Sequence, residues 1–202
     1  MKNLNYVPFI LILNGTSSAG KSSIFKILAK KIQMSNVSFL DIDTFVDILP
    51  QSFVGKANES SVGFRFYSIG GKCKIQVGDL GNLVVKQMHN LARAILRSGS
   101  SVVMDHVILT KPWARDLDTL RKTGARVINV LITCDIEKLE MREYARGNRF
   151  VGLAKGLKYV ENIIPKYNLV IDTTLNSPKK AAGIILRYLD DNEVFRNHAN
   201  VT

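Results

Sequence analysis

Apolar positions along the chain follow two periods in alternation. Short runs rich in β-branched and aromatic side chains at 9–14, 37–40, 101–105, 126–133 and 169–174 read as strands. Between them lie stretches at helical spacing. Ile24, Ile27, Leu28 and Ile32 share one face, and 79–97 carries a stripe of Leu80, Leu83, Val84, Met88, Leu91, Ala92 and Ile95. Pro112 opens a helix through Trp113, Leu117, Leu120 and Arg121 that closes at Thr123-Gly124. A further helix is predicted from Gly152 to Ile164, ended by Pro165. A last one starts at Ser177-Pro178, passes through Ile184, Ile185 and Leu189, and gives way to a fraying tail from Asn192. The run 126–133 is apolar almost throughout, as in a parallel strand covered on both faces. Alternating strands and helices of this kind predict a parallel α/β sandwich. From 51 to 77 the periodicity dissolves. Gly55, Gly63, Gly70 and Gly71 punctuate that segment while Phe53, Phe64, Phe66 and Tyr67 supply aromatics. It reads as a structureless lid or binding loop, packing against an acceptor substrate or against the rest of the domain.

The first strand runs straight into Gly15-Thr16-Ser17-Ser18-Ala19-Gly20-Lys21-Ser22, and Ser23 begins the first helix. This is G-x-x-x-x-G-K-S between a buried strand and a helix start, the context that a phosphate-binding loop requires. Glycines let backbone N–H groups curl around a phosphate chain, and the helix N-terminus adds a positive dipole. Lys21 is placed to reach the β- and γ-phosphates of ATP, and Ser22 to ligate Mg²⁺. The strand ending at Asp105 then resembles a Walker B carboxylate, which holds the same metal directly or through water. His106 follows it, and His89 lies beside the stripe of the long helix; both read as structural.

Two clusters bear on an acceptor. Asp41, Asp43 and Asp47 sit at and beyond the end of the second strand, where ligands of open α/β sheets bind. One of them is placed to act as general base on a hydroxyl; capping of a short helix by Asp43 or Thr44 is the alternative. Arg142 and Arg146, four apart on one helix face, with Arg149 just beyond Gly147, offer guanidinium forks to a transferring phosphoryl group. A solvated face with Glu140 and Glu143 as partners is the rival reading.

Composition bounds the rest. The 202 residues suit one well-cored domain, with an acceptor-side segment at 51–78 and an Arg-bearing lid at 142–156. No apolar run is long enough to span a bilayer, and the N-terminal stretch lacks the features of a signal peptide. Cys73 and Cys134, far apart, read as free thiols of a reducing compartment, which predicts a cytoplasmic protein. Lys and Arg number 28 against 17 Asp and Glu, a net of +11 without any run of five cations. Such an excess favours anionic partners, nucleotides before nucleic acid. Oligomeric state is left open.

The motif 12–23, the strand end at Asp43, the stretch after Met104, the run 142–149 and the run 170–174 together resemble the chloramphenicol phosphotransferase-like proteins over nearly the whole chain. The resemblance implies a nucleotide-kinase-like P-loop NTPase fold, a three-layer α/β/α sandwich with a five-stranded parallel sheet. It implies ATP-dependent phosphorylation of a hydroxyl on a small molecule, chloramphenicol in the founding member, with Asp43 matching that family's general base and Arg142 and Arg146 matching its lid. Two departures stand out: His106 replaces a second acidic residue, and 51–78 is longer and more basic. The rivals are a nucleotide-sugar, nucleoside or nucleic-acid kinase of the toxin-like kind, and an ATP-binding module without catalysis.

Overall fold

The computed structural model describes residues 7–147 and 150–195. In chain order its strands are β1 (Phe9–Asn14), β2 (Val37–Asp41), β3 (Val54–Gly55), β4 (Phe64–Ile69), β5 (Lys72–Val77), β6 (Ser101–Asp105), β7 (Arg126–Thr133) and β8 (Leu169–Asp172). Its helices are α1 (Lys21–Lys31), α2 (Ile42–Val46), α3 (Asp79–Arg97), α4 (Lys111–Asp118), α5 (Ile136–Arg146), α6 (Leu153–Gly156) and α7 (Pro178–Asp191).

Five strands form one parallel sheet in the order β2-β6-β1-β7-β8, with β1 at its centre. Every residue of β1 is buried, because successive side chains feed opposite layers. Ile10 and Ile12 pack with Val84, Met88 and Ala92 of α3 and Trp113 and Leu117 of α4. Phe9, Leu11 and Leu13 pack with Ile24 and Leu28 of α1 and Ala182, Ile185 and Leu189 of α7. Helices therefore cover both faces, giving the three-layer α/β/α sandwich expected of the strand–helix alternation.

Four local expectations need correction. The segment 51–77 is folded: β3, β4 and β5 form a second, three-stranded sheet, with β4 and β5 an antiparallel hairpin. Gly70 and Gly71 make its two-residue turn, both at positive φ (56° and 69°), a geometry that glycine adopts without penalty. The stripe of α3 is rotated: Leu83 and Leu91 are 50% and 43% exposed, while Val85 and Leu96 are buried. A helix packed between a sheet and α4 buries a wider arc than one stripe, and the sequence stripe was centred to one side of it. The helix expected over 152–164 is broken into α6 and a 3-10 turn at Lys158–Asn162, because Gly156 lies flush against the backbone of Cys73. The chain beyond Asn192 is packed through Phe195: Val194 is buried and Phe195 meets Phe9 edge to face.

Candidate active site

At the carboxyl end of the sheet, β1 leads into the loop 15–20. Gly15, at φ 152°, passes so close to β7 that an added Cβ would stand 2.1 Å from the Ile132 carbonyl oxygen. Ser18 and Gly20 are also at positive φ (62° and 96°), which turns the loop back on itself before α1 begins at Lys21. The loop is tied down from three sides. Thr16 Oγ1 donates to the Ala154 carbonyl at 2.7 Å, Thr173 Oγ1 donates to the Ala19 carbonyl at 2.8 Å, and Lys21 Nζ donates to the Thr16 carbonyl at 2.9 Å. Asn14, fully buried just before the loop, donates to Val160 O and Tyr167 Oη and accepts from Ile108 N. An anion cradle fixed this way costs no reorganisation when its ligand arrives.

Beside the loop opens a cavity of about 290 Å³. Ser17, Ser18, Gly20, Lys21 and Ser22 form its phosphate side. Asp41, Asp43 and Asp105 line the same cavity, as does Arg146. Parallel pairing of β2 with β6 sets Asp41 opposite Asp105. Asp105 is 2% exposed, and its Oδ1 is buried without a hydrogen-bond partner. Burial pushes its carboxyl up to about 6, against the pull of the Lys21 ammonium and the Ser22 hydroxyl beside it. Burial likewise raises Asp41, whose Oδ1 accepts from Asp43 N at 3.1 Å and so caps α2. The cap is thus Asp41, and Asp43 lies in the first turn of α2. An orphaned carboxylate oxygen next to a loop serine fits a hard divalent cation such as Mg²⁺.

The remaining wall is apolar. Phe64, Phe66 and Ile75 come from the β4–β5 hairpin, Trp113 from α4, and Leu153 and Leu157 from the α6 region. Trp113 is held by Nε1 donating to Asn82 Oδ1 at 2.9 Å, and His106 packs behind it, ring centroids 5.8 Å apart. His106 is fully buried and does not face the cavity. His89 Nδ1–H donates to Asp116 Oδ2 at 2.7 Å, which leaves His89 Nε2 to accept from His106 Nε2–H at 2.9 Å. Burial holds both imidazoles below their ordinary range, so the pair is a neutral prop behind Trp113.

The two arginines of α5 are parted. Arg142 donates to Thr173 O (2.8 Å), Thr173 Oγ1 (3.1 Å) and Ser18 O (3.4 Å), on the outer side of the loop. Arg146 alone reaches the cavity rim, and Arg149 lies outside the described residues. Neither glutamate partners Arg142. Glu140 pairs with Lys155, and buried Glu143 accepts from Gly152 N (2.7 Å) and Ala154 N (2.8 Å), anchoring the segment that follows α5. From sequence, Glu143 reads only as an ion-pair partner of the arginines, Trp113 only as a position in a helix, and Thr173 only as part of the last strand, which ends at Asp172.

A phosphate-type loop between the central strand and its helix, on this strand order, defines a P-loop NTPase of the nucleotide-kinase kind. Among solved structures, a provisionally assigned kinase from Chloroflexus aurantiacus superposes with a TM-score of 0.63 at 18% identity, over 91% of this chain and 99% of that one. Shikimate kinase from Acinetobacter baumannii, solved with shikimate, gives 0.59 at 18% identity over 94% and 97%. At that identity both show the fold alone. The chain belongs to the chloramphenicol phosphotransferase-like family, whose pattern matches residues 9–190. A protein of Mycobacterium tuberculosis H37Rv provisionally named an O-phosphotransferase is 29% identical over 180 residues, 82% of this chain and 75% of that protein. Membership supports a kinase or O-phosphotransferase.

Proposed function

We propose that the protein transfers the γ-phosphoryl group of ATP to a hydroxyl of a small molecule bound in the cavity. The observation that carries this reading is that Lys21 and Asp43 line one and the same cavity. The loop amides and Lys21 hold the β- and γ-phosphates, and Arg142, fixed against Ser18 and Thr173, lies on the nucleotide side. Ser22 and Asp105 would hold Mg²⁺, which supplies charge neutralisation on the phosphate oxygens when bound. Asp43 takes the proton of the acceptor hydroxyl as its oxygen forms a bond to the γ-phosphorus. The bond from that phosphorus to the β-bridging oxygen breaks, and ADP leaves. Arg146 at the rim faces the charge that shifts in this step. The apolar wall excludes water, which otherwise competes for the phosphoryl group.

The test is Asp43→Asn. ATP affinity is expected to stay within about threefold while acceptor-dependent ADP release falls by roughly 10²–10⁴. Unchanged turnover would remove Asp43 from the role, and ADP release that never depends on any hydroxyl compound would remove the reading itself.

A further inference from the structure

The charge inside the cavity runs opposite to that of the chain. The protein carries a net +11, yet among the described residues the cations that line the cavity are Lys21 and Arg146. Besides Asp105, which the proposed function gives to Mg²⁺, the cavity is lined by Asp41, Asp43 and Asp47. A bound nucleotide brings further negative charge and occupies Lys21, so the acceptor half is left strongly negative.

Asp47 has no duty in the phosphoryl transfer described above. It closes α2, its N–H donating to Asp43 O at 2.9 Å, so the two carboxylates lie one helical turn apart, roughly 5–6 Å between Cβ atoms. Like charges so placed repel each other and weaken a helix. Asp47 has no salt bridge among the described residues. Two buried polar atoms lining the same cavity, Ser18 Oγ and Asp105 Oδ1, also lack partners. The same cavity is lined by Phe64, Phe66 and Trp113. Carboxylates facing aromatic rings form a site for a cation on an apolar body, since both surfaces attract it. An anionic acceptor would meet repulsion from Asp43 and Asp47. A volume of about 290 Å³ limits the guest to a compact molecule.

We propose, resting on the reading of this cavity as the acceptor site, that the acceptor is a compact amphipathic amino alcohol. Its hydroxyl lies at Asp43, its ammonium group at Asp47, and its apolar body against Phe64, Phe66 and Trp113.

The experiment compares three probes on one scaffold: 2-amino-1-phenylethanol, 1-phenylpropan-1-ol and mandelate. Each is titrated calorimetrically into the full chain loaded with Mg²⁺ and a non-hydrolysable ATP analogue, and ADP release is followed separately with ATP. The amine is expected to bind at least about tenfold tighter than the neutral alcohol, with mandelate weakest, and added salt to erode that advantage. Asp47→Asn is expected to bring the amine-to-neutral ratio to within about threefold of unity. A neutral alcohol or mandelate that binds as well as the amine overturns the proposal. A ratio that survives Asp47→Asn does so too, as does a lack of any measurable binding by the amine. The two readings fail separately. Amine binding in the expected order without ADP release sinks the phosphotransfer and leaves the ligand assignment standing. ADP release with equal preference for the neutral alcohol does the reverse.

Discussion

Asp105→Asn is expected to stabilise the ligand-free protein at neutral pH while abolishing the phosphoryl transfer proposed above. Burial raises this carboxyl from an ordinary 3.8 to about 6. The native state therefore holds the proton more tightly than the unfolded chain does. Below about pH 4 both states are protonated and the group costs nothing; from pH 4 to 6 the unfolded state ionises first, and stability falls. Above pH 7 the folded protein carries a buried carboxylate at a cost of about 3 kcal/mol, from roughly two pH units at about 1.4 kcal/mol each. Asn has the same shape and no charge to bury, so it recovers that amount. For a chain of this length the gain corresponds to a melting temperature about 6–12 °C higher at pH 8. The assay is thermal unfolding of both proteins without nucleotide or metal at pH 4, 6 and 8. The melting gap should open with pH and vanish at the acidic end. A gap that is constant with pH, or a wild type more stable than the variant at pH 8, would refute the argument that charge burial sets this site's energetics.

Other substitutions probe the scaffold around it. Gly15→Ala places a Cβ 2.1 Å from Ile132 O, so ATP binding measured by equilibrium dialysis should be lost, together with a melting point lowered by several degrees. Gly156→Ala meets Cys73 O at 1.7 Å and should destabilise the protein by at least about 2 kcal/mol in urea titrations. Glu143→Ala strips the acceptor from two buried N–H groups, so hydrogen exchange at Gly152 and Ala154 should quicken, with a loss of about 2–3 kcal/mol. Arg142→Ala should raise the KM for ATP more than it lowers kcat, since its guanidinium is fixed to the loop's outer side rather than to the cavity.

The phosphate loop was legible because its chemistry is local: glycines, a lysine and a serine at set spacing, between a strand and a helix. The parallel sheet was legible for a related reason, since 126–133 and 101–105 show the unbroken apolar character of strands covered twice. The hairpin escaped because its signal is short. Gly70-Gly71 between Phe64, Phe66 and Cys73, Ile75, Val77 is a two-residue turn between alternating runs, yet the glycines read as disorder when counted across the whole segment. The parting of Arg142 from Arg146 could not be seen at all. Four residues apart on one face, they look equivalent until Thr173, distant in sequence, claims one of them. Cavity charge was hidden in the same way. A net of +11 says nothing of where acids gather, and it took the pairing of β2 with β6 to bring Asp41 against Asp105.

The hairpin and the segment behind α5 are sewn together. Cys73 N donates to Gly152 O at 2.9 Å, Gly156 sits on the Cys73 carbonyl, and the Phe66 and Phe150 rings lie 4.4 Å apart with Lys56 over Phe150. The apolar wall of the cavity and the segment that follows α5 are thus tied to each other at the Cys73 peptide. Under the proposed function, filling one side of the cavity would then be felt at the other through that single tie.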